Sequence, residues 1–179
     1  MLKSYLITDP KLFGDTAETL RTTLSLAIAE HSPDLVCLRD KSSKKYADLA
    51  EVFLKIPGKH KALLHGDVDL AITLEAYGVH LSSLQFDEIT RAKEAGLYVI
   101  ASTHSYEEAL AAREADAITY SPIFHSPNKG IPTGLEDLKE ITGKIDTNIF
   151  ALGGITSKEE IKQVETCGVY GFASIRYFT

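Results

Sequence analysis

Short apolar runs and amphipathic segments alternate along the whole chain. "SYLIT" (Ser4–Thr8) is strand-like. "DTAETLRTTLSLAIAEH" then places Leu20, Leu24, Ala27 and Ile28 on one face at helical spacing. The same exchange of periods repeats. "DLVCLRD", "KALLHG", "YGVHLSS", "LYVIAST", "DAITYS", "TNIFAL" and "YGFASI" read as strands. "KYADLAEVFLKI", "DVDLAITLEA", "FDEITRAKEA", "SYEEALAAREA", "GLEDLKEIT" and "SKEEIKQVETC" read as the helices between them. Ser105 with Glu108, and Ser157 with Glu160, have the spacing of capping boxes at two helix starts.

The sum is eight strands and seven helices in strict alternation. Alternation of this kind predicts a parallel sheet covered by helices, and eight strands favour closure. The predicted fold is an α/β TIM (β/α)8 barrel spanning residues 1–179 as a single domain. It is compact and lacks the last helix. With no eighth helix, the base needs another cover, and a homodimer is the assembly to consider.

Composition narrows the function classes. Of 179 residues, 44% are hydrophobic and 25% charged, ordinary for a globular protein. Net charge is −6 with no basic run, which argues against nucleic-acid binding. No apolar run approaches a membrane span and no signal peptide is evident, so no membrane contact and a cytoplasmic location are expected. Cys37 and Cys167 sit among apolar neighbours and read as buried thiols.

Barrel enzymes place their chemistry at the C-terminal ends of the strands. "LGGIT" puts Gly153 and Gly154 after the seventh strand and before a capped helix. Exposed backbone N–H groups there suit a phosphate, although a tight turn needs the same residues. Arg39, Lys41 and Lys129 are candidate anion contacts, with solvated surface charge as the alternative. Ser126 and Asn128, in the loop "SPIFHSPNKG", offer a hydroxyl and an amide, and both also favour turns. His65 points toward the mouth if the third strand ends as drawn. His80 and His104 are open to a packing role as much as a catalytic one, and His80, at the end of the buried "VHL" run, reads as a satisfied core histidine. No histidine pair has metal spacing, so no zinc is expected.

"YLITD", "CLRDK", "DVDLAITLEAYGVHL", "STHSYEEA", "YSPIFHSPNKG", "TGLED" and "ALGGIT" occur in an order that resembles the thiamin phosphate synthase and TenI superfamily. The resemblance covers nearly the whole chain. It implies a TIM barrel whose ligand is a phosphorylated thiazole or thiamin phosphate, with the phosphate on Gly153 and Gly154 and Arg176 as a third contact. Arg39, Lys41, Ser126, Asn128 and Lys129 match the synthase's pyrophosphate site, with changes at 126 and 128. Ser102 matches a serine of that region.

The departures are equally specific. The synthase pattern carries an aspartate after the third strand, where Gly66 stands, and another after the fourth, where Gln85 stands. Those acids hold Mg²⁺, and such a cation wants carboxylate oxygens. The TenI branch resembles this chain in its glycine at the first of these positions, and its characterised members are metal-independent thiazole tautomerases. That branch has its acid/base histidine near the end of the sixth strand, where this chain has Pro122. His125, three residues on, and His65 are the candidate catalytic groups. The resemblance thus implies a TenI-like tautomerase without a cofactor. A thiamin phosphate synthase using Mg²⁺ and a non-catalytic phosphate binder are the alternatives.

Overall fold

In the computed structural model, which describes residues 2–127 and 130–179, every predicted strand forms and the sheet closes. The strands are β1 (Lys3–Ile7), β2 (Leu35–Leu38), β3 (Lys61–His65), β4 (Gly78–Leu81), β5 (Tyr98–Thr103), β6 (Ala117–Tyr120), β7 (Asn148–Leu152) and β8 (Gly171–Ser174). Each pairs in parallel with its neighbour in sequence, and β1 pairs in parallel with β8.

The helices are α1 (Pro10–Phe13), α2 (Ala17–His31), α3 (Tyr46–Leu54), α4 (Val68–Thr73), α5 (Ile89–Glu94), α6 (Tyr106–Ala111), α7 (Gly134–Thr142) and α8 (Lys158–Glu165). The short α1 escapes a periodicity reading because one turn shows no period. Its start is set by Asp9, whose side chain accepts from Lys11 N, and by Pro10 at the first position. The segment read as one helix from Phe86 begins as a 3₁₀ turn, Phe86–Glu88. Of the two capping boxes, Ser157 with Glu160 is complete. Ser105 caps Glu108 N, but the Glu108 carboxylate turns to His104 N instead, at 2.8 Å.

The unbroken apolar runs follow from burial on both faces. In β2, Leu35 and Cys37 belong to the barrel interior while Val36 and Leu38 pack under the helices. The interior plug comprises Tyr5, Ile7, Leu35, Cys37, Leu63, Ile100, Ala117, Phe150 and Ala173. Among the described residues no helix follows β8. A 3₁₀ turn, Arg176–Phe178, takes that place, and Phe178 stacks on the outward-facing Phe172 at 6.0 Å and meets His31 edge-on. The chain's own aromatics therefore cover the outer face of β8. Cys37 and Cys167 are both buried free thiols.

Phe150 is fully buried at the centre of the plug, its ring 5.4 Å from that of Tyr5. Phe150→Ala should lower stability by about 3–5 kcal/mol, because the interior cannot collapse around the void. Chemical denaturation would measure the loss.

Candidate active site

Alternation along each strand carries the plug's interior positions up to the mouth. Two residues beyond Cys37 lies Arg39, two beyond Leu63 lies His65, and two beyond Ile100 lies Ser102. These line a cavity of about 550 Å³ at the C-terminal ends of the strands. Lys41, Ser126, Gly153, Gly154 and Arg176 line it too, so the barrel mouth gathers eight of the predicted site residues. His125 is exposed and is not among the lining residues. Asn128 and Lys129 lie outside the described residues.

Several groups hold this rim in place, and sequence reasoning did not single them out. Thr8 Oγ1 accepts from Arg39 N at 2.8 Å, tying the end of β2 to β1. The Tyr46 hydroxyl donates to Leu38 O at 2.7 Å and accepts from His65 N at 2.8 Å. It clamps the ends of β2 and β3 side by side, which brings Arg39 and His65 together. Only the folded barrel sets these contacts between distant residues.

Three histidines line the mouth: His65, His80 and His104. His80 is 2% exposed and bonded on both ring nitrogens, to the Tyr5 hydroxyl at 2.8 Å and to Ser102 Oγ at 2.9 Å. It is a satisfied core histidine that also borders the cavity. Burial, then His65, Arg39 and Lys41, push its pKa far down. Burial, then the Arg39 and Lys41 charges, bring His65 down to about 4. Both imidazoles are neutral at pH 7, beneath fixed cations. His104 Nδ1 lies 3.0 Å from Ser121 O. Ser121 Oγ lies 3.2 Å from the same nitrogen. A carbonyl only accepts, so the neutral tautomer that satisfies the shorter contact carries its proton on Nδ1 and leaves a lone pair on Nε2.

The loops after β6 and β7 are docked backbone to backbone. Ile123 N donates to Leu152 O and Phe124 N to Gly153 O, each at 3.0 Å. Gly153 and Gly154 have φ of +101° and +72°, and a Cβ on them would lie 2.7 Å from Pro122 Cα and 2.6 Å from His125 O. Turn geometry and close approach therefore demand both glycines, whether or not a phosphate uses them.

Cationic and imidazole side chains thus gather at the C-terminal mouth of an eight-stranded parallel barrel, the end where barrel enzymes carry their sites. The sequence profile of thiamine monophosphate synthase matches residues 4–178, and the chain belongs to that family, an enzyme family of thiamin biosynthesis. It is 37% identical over 184 residues to a putative thiamine-phosphate synthase 2 of Aquifex aeolicus, covering 97% of this chain and 96% of that protein. It is 29% identical to the thiamine-phosphate synthase of Pyrococcus abyssi, covering 97% and 85%. The solved thiamine phosphate pyrophosphorylase of Pyrococcus furiosus superposes with a TM-score of 0.76 at 28% identity, again covering 97% and 85%.

The donor set for Mg²⁺ does not fit at the positions where the family pattern has acids. Gln85 Nε2 donates to Gly66 O at 2.8 Å, and Gln85 Oε1 accepts from Ser82 N at 3.1 Å and Ser82 Oγ at 2.9 Å. A neutral amide clasp joins the two positions. Asp67 is exposed and caps α4 through Leu70 N, while Asp9 lines the cavity as a single carboxylate and accepts from Lys11 N through Oδ1. Among the described residues, no group of three or more His, Cys, Asp or Glu side chains is placed to hold a metal.

His65 should titrate near pH 4 by NMR, well below the usual 6.5. The sign follows from linkage: the unfolded chain binds this proton first, so His65 lowers stability as pH falls from about 6.5 to about 4. His65→Gln should flatten that part of the stability–pH curve in denaturation experiments.

Proposed function

We propose that this protein is a metal-independent thiazole tautomerase acting on a thiazole carboxylate phosphate. The observation that carries the reading is the amide clasp of Gly66, Ser82 and Gln85 at the positions where pyrophosphate displacement needs carboxylates. Diphosphate departure needs concentrated positive charge, which a bound divalent cation supplies. Moving a proton between two ring positions needs a neutral base and an anchored substrate instead.

The mouth is equipped for that second task. Arg39 and Lys41 attract the carboxylate or phosphate, and the loop at Gly153 and Gly154, with Arg176, borders the other side of the cavity. His104 Nε2 accepts the proton from the substrate carbon, because Ser121 O holds the opposite nitrogen protonated. The imidazolium then returns a proton to the second ring position, which leaves the enzyme unchanged. His65 stays neutral beside the cations and is the second proton carrier. Because His125 is exposed and stands off the cavity lining, His104 takes precedence over it.

A thiamin phosphate synthase is the second reading, favoured by the names of the relatives. The protein should exchange substrate protons with deuterated water in the presence of a chelator. His104→Gln should lower kcat by about 10²- to 10⁴-fold, the range of a lost acid/base group, while His125→Ala leaves it unchanged. Product analysis by mass and NMR decides between the readings. Mg²⁺-dependent thiamin phosphate from the aminopyrimidine pyrophosphate and thiazole phosphate, with no metal-free exchange, would establish the synthase.

A further inference from the structure

We propose that Tyr5 and His80 form a buried positioning relay that fixes the Ser102 hydroxyl as a hydrogen-bond donor to an anionic oxygen of the ligand. The inference rests on the reading of the mouth as an anionic-substrate site. It adds two residues that the barrel interior hides from any ligand.

A count of protons carries it. Tyr5 rises from β1 into the interior plug and is 0% exposed. Its hydroxyl lies 2.8 Å from His80 Nδ1, and burial first of all keeps the phenol protonated. The other group against this hydroxyl is the Cys37 thiol, whose own proton goes to Leu38 O at 3.7 Å. Sulfur is a weak acceptor. The phenolic proton therefore goes to His80 Nδ1.

His80 is neutral and carries one ring proton. With Nδ1 accepting, that proton is on Nε2 and is donated to Ser102 Oγ, 2.9 Å away. Ser102 Oγ has no other side-chain partner among the described residues, and it lines the cavity. Its own proton is then left for a ligand oxygen. A carboxylate or phosphate oxygen accepts it, while a donor group in the same place meets a proton it cannot use. The relay thus favours a deprotonated oxygen at that point of the substrate.

The packing holds the relay in place. The His65 ring lies 5.6 Å from that of His80 on one side, and the Tyr5 ring lies 5.7 Å from it. Arg39 and Lys41 disfavour a second proton on His80. The opposite arrangement reverses every bond: Ser102 donates to Nε2, Nδ1–H donates to Tyr5, and Tyr5 donates to the thiol. In that case Ser102 presents only an acceptor to the cavity.

Long-range ¹H–¹⁵N spectra of the unliganded wild-type protein separate the two arrangements without any substrate. Nε2 protonated and Nδ1 bare is the expected result, and Nδ1 protonated overturns the relay. The second measurement is calorimetric titration with inorganic phosphate and with pyrophosphate. Tyr5→Phe keeps the ring, so it should preserve the fold while mixing the His80 tautomers and weakening anion binding by about 2- to 10-fold, the value of one hydrogen bond. Ser102→Ala should weaken it as much or more.

In the double variant, Tyr5→Phe should cost nothing further, because its effect passes through Ser102. Additive losses would make Tyr5 a packing residue alone. Equal anion affinity in all variants overturns the donor role. A wild-type protein that binds neither anion overturns the underlying reading of the mouth, whatever tautomer the spectra show.

Discussion

Closure of eight parallel strands is the constraint from which the rest of the molecule follows. A closed sheet has no edge and no wet face, so each strand must be apolar on both sides. One set of side chains fills the barrel and the other meets the helices. The interior set cannot change parity along a strand, so the residues above the plug are fixed once the plug is packed. Leu63 and Ile100 inside place His65 and Ser102 at the mouth.

The electrostatics of the mouth follow from its floor. Tyr5, Cys37 and Phe150 exclude water beneath it, so charge is expensive there unless it is matched. His65 and His80 respond by staying neutral, and the cations stand at the rim. Acids near the rim are drawn into local bonds: Asp9 and Asp67 cap helices, and Asp40 accepts from the backbone N–H groups of Ser42 and Ser43. The resulting site is cationic and imidazole-rich, the setting that the proposed proton transfer requires.

Much of this was legible in the chain. Strand and helix periods differ enough that all eight strands could be assigned, and the strand-end rule then picked Arg39, Lys41, His65 and Ser102 without any contact being known. The shortfalls have definite causes. α1 is too short to show a period. His125 is near Pro122 in sequence, but the docking of its loop on Gly153 and Gly154 leaves it exposed. His104 stays open between packing and chemistry in the sequence, because nothing local shows that its ring reaches Ser121, 17 residues away. Gly153 and Gly154 carry two explanations at once, since neither a turn nor an anion tolerates a Cβ there.

Alternating apolar periods and the placement of polar residues at run ends are local properties, and they determined the barrel, its register of inside and outside positions, and the location of the mouth. Which polar groups meet across the mouth depends on strand pairing between residues as distant as Tyr5 and His80. Closure of the sheet decided the Tyr5–His80–Ser102 chain, the Tyr46 clamp and the Gln85–Gly66 clasp. Only the folded barrel brings such groups within hydrogen-bond distance, so only the tertiary structure separates a family likeness from the chemistry this particular mouth can perform.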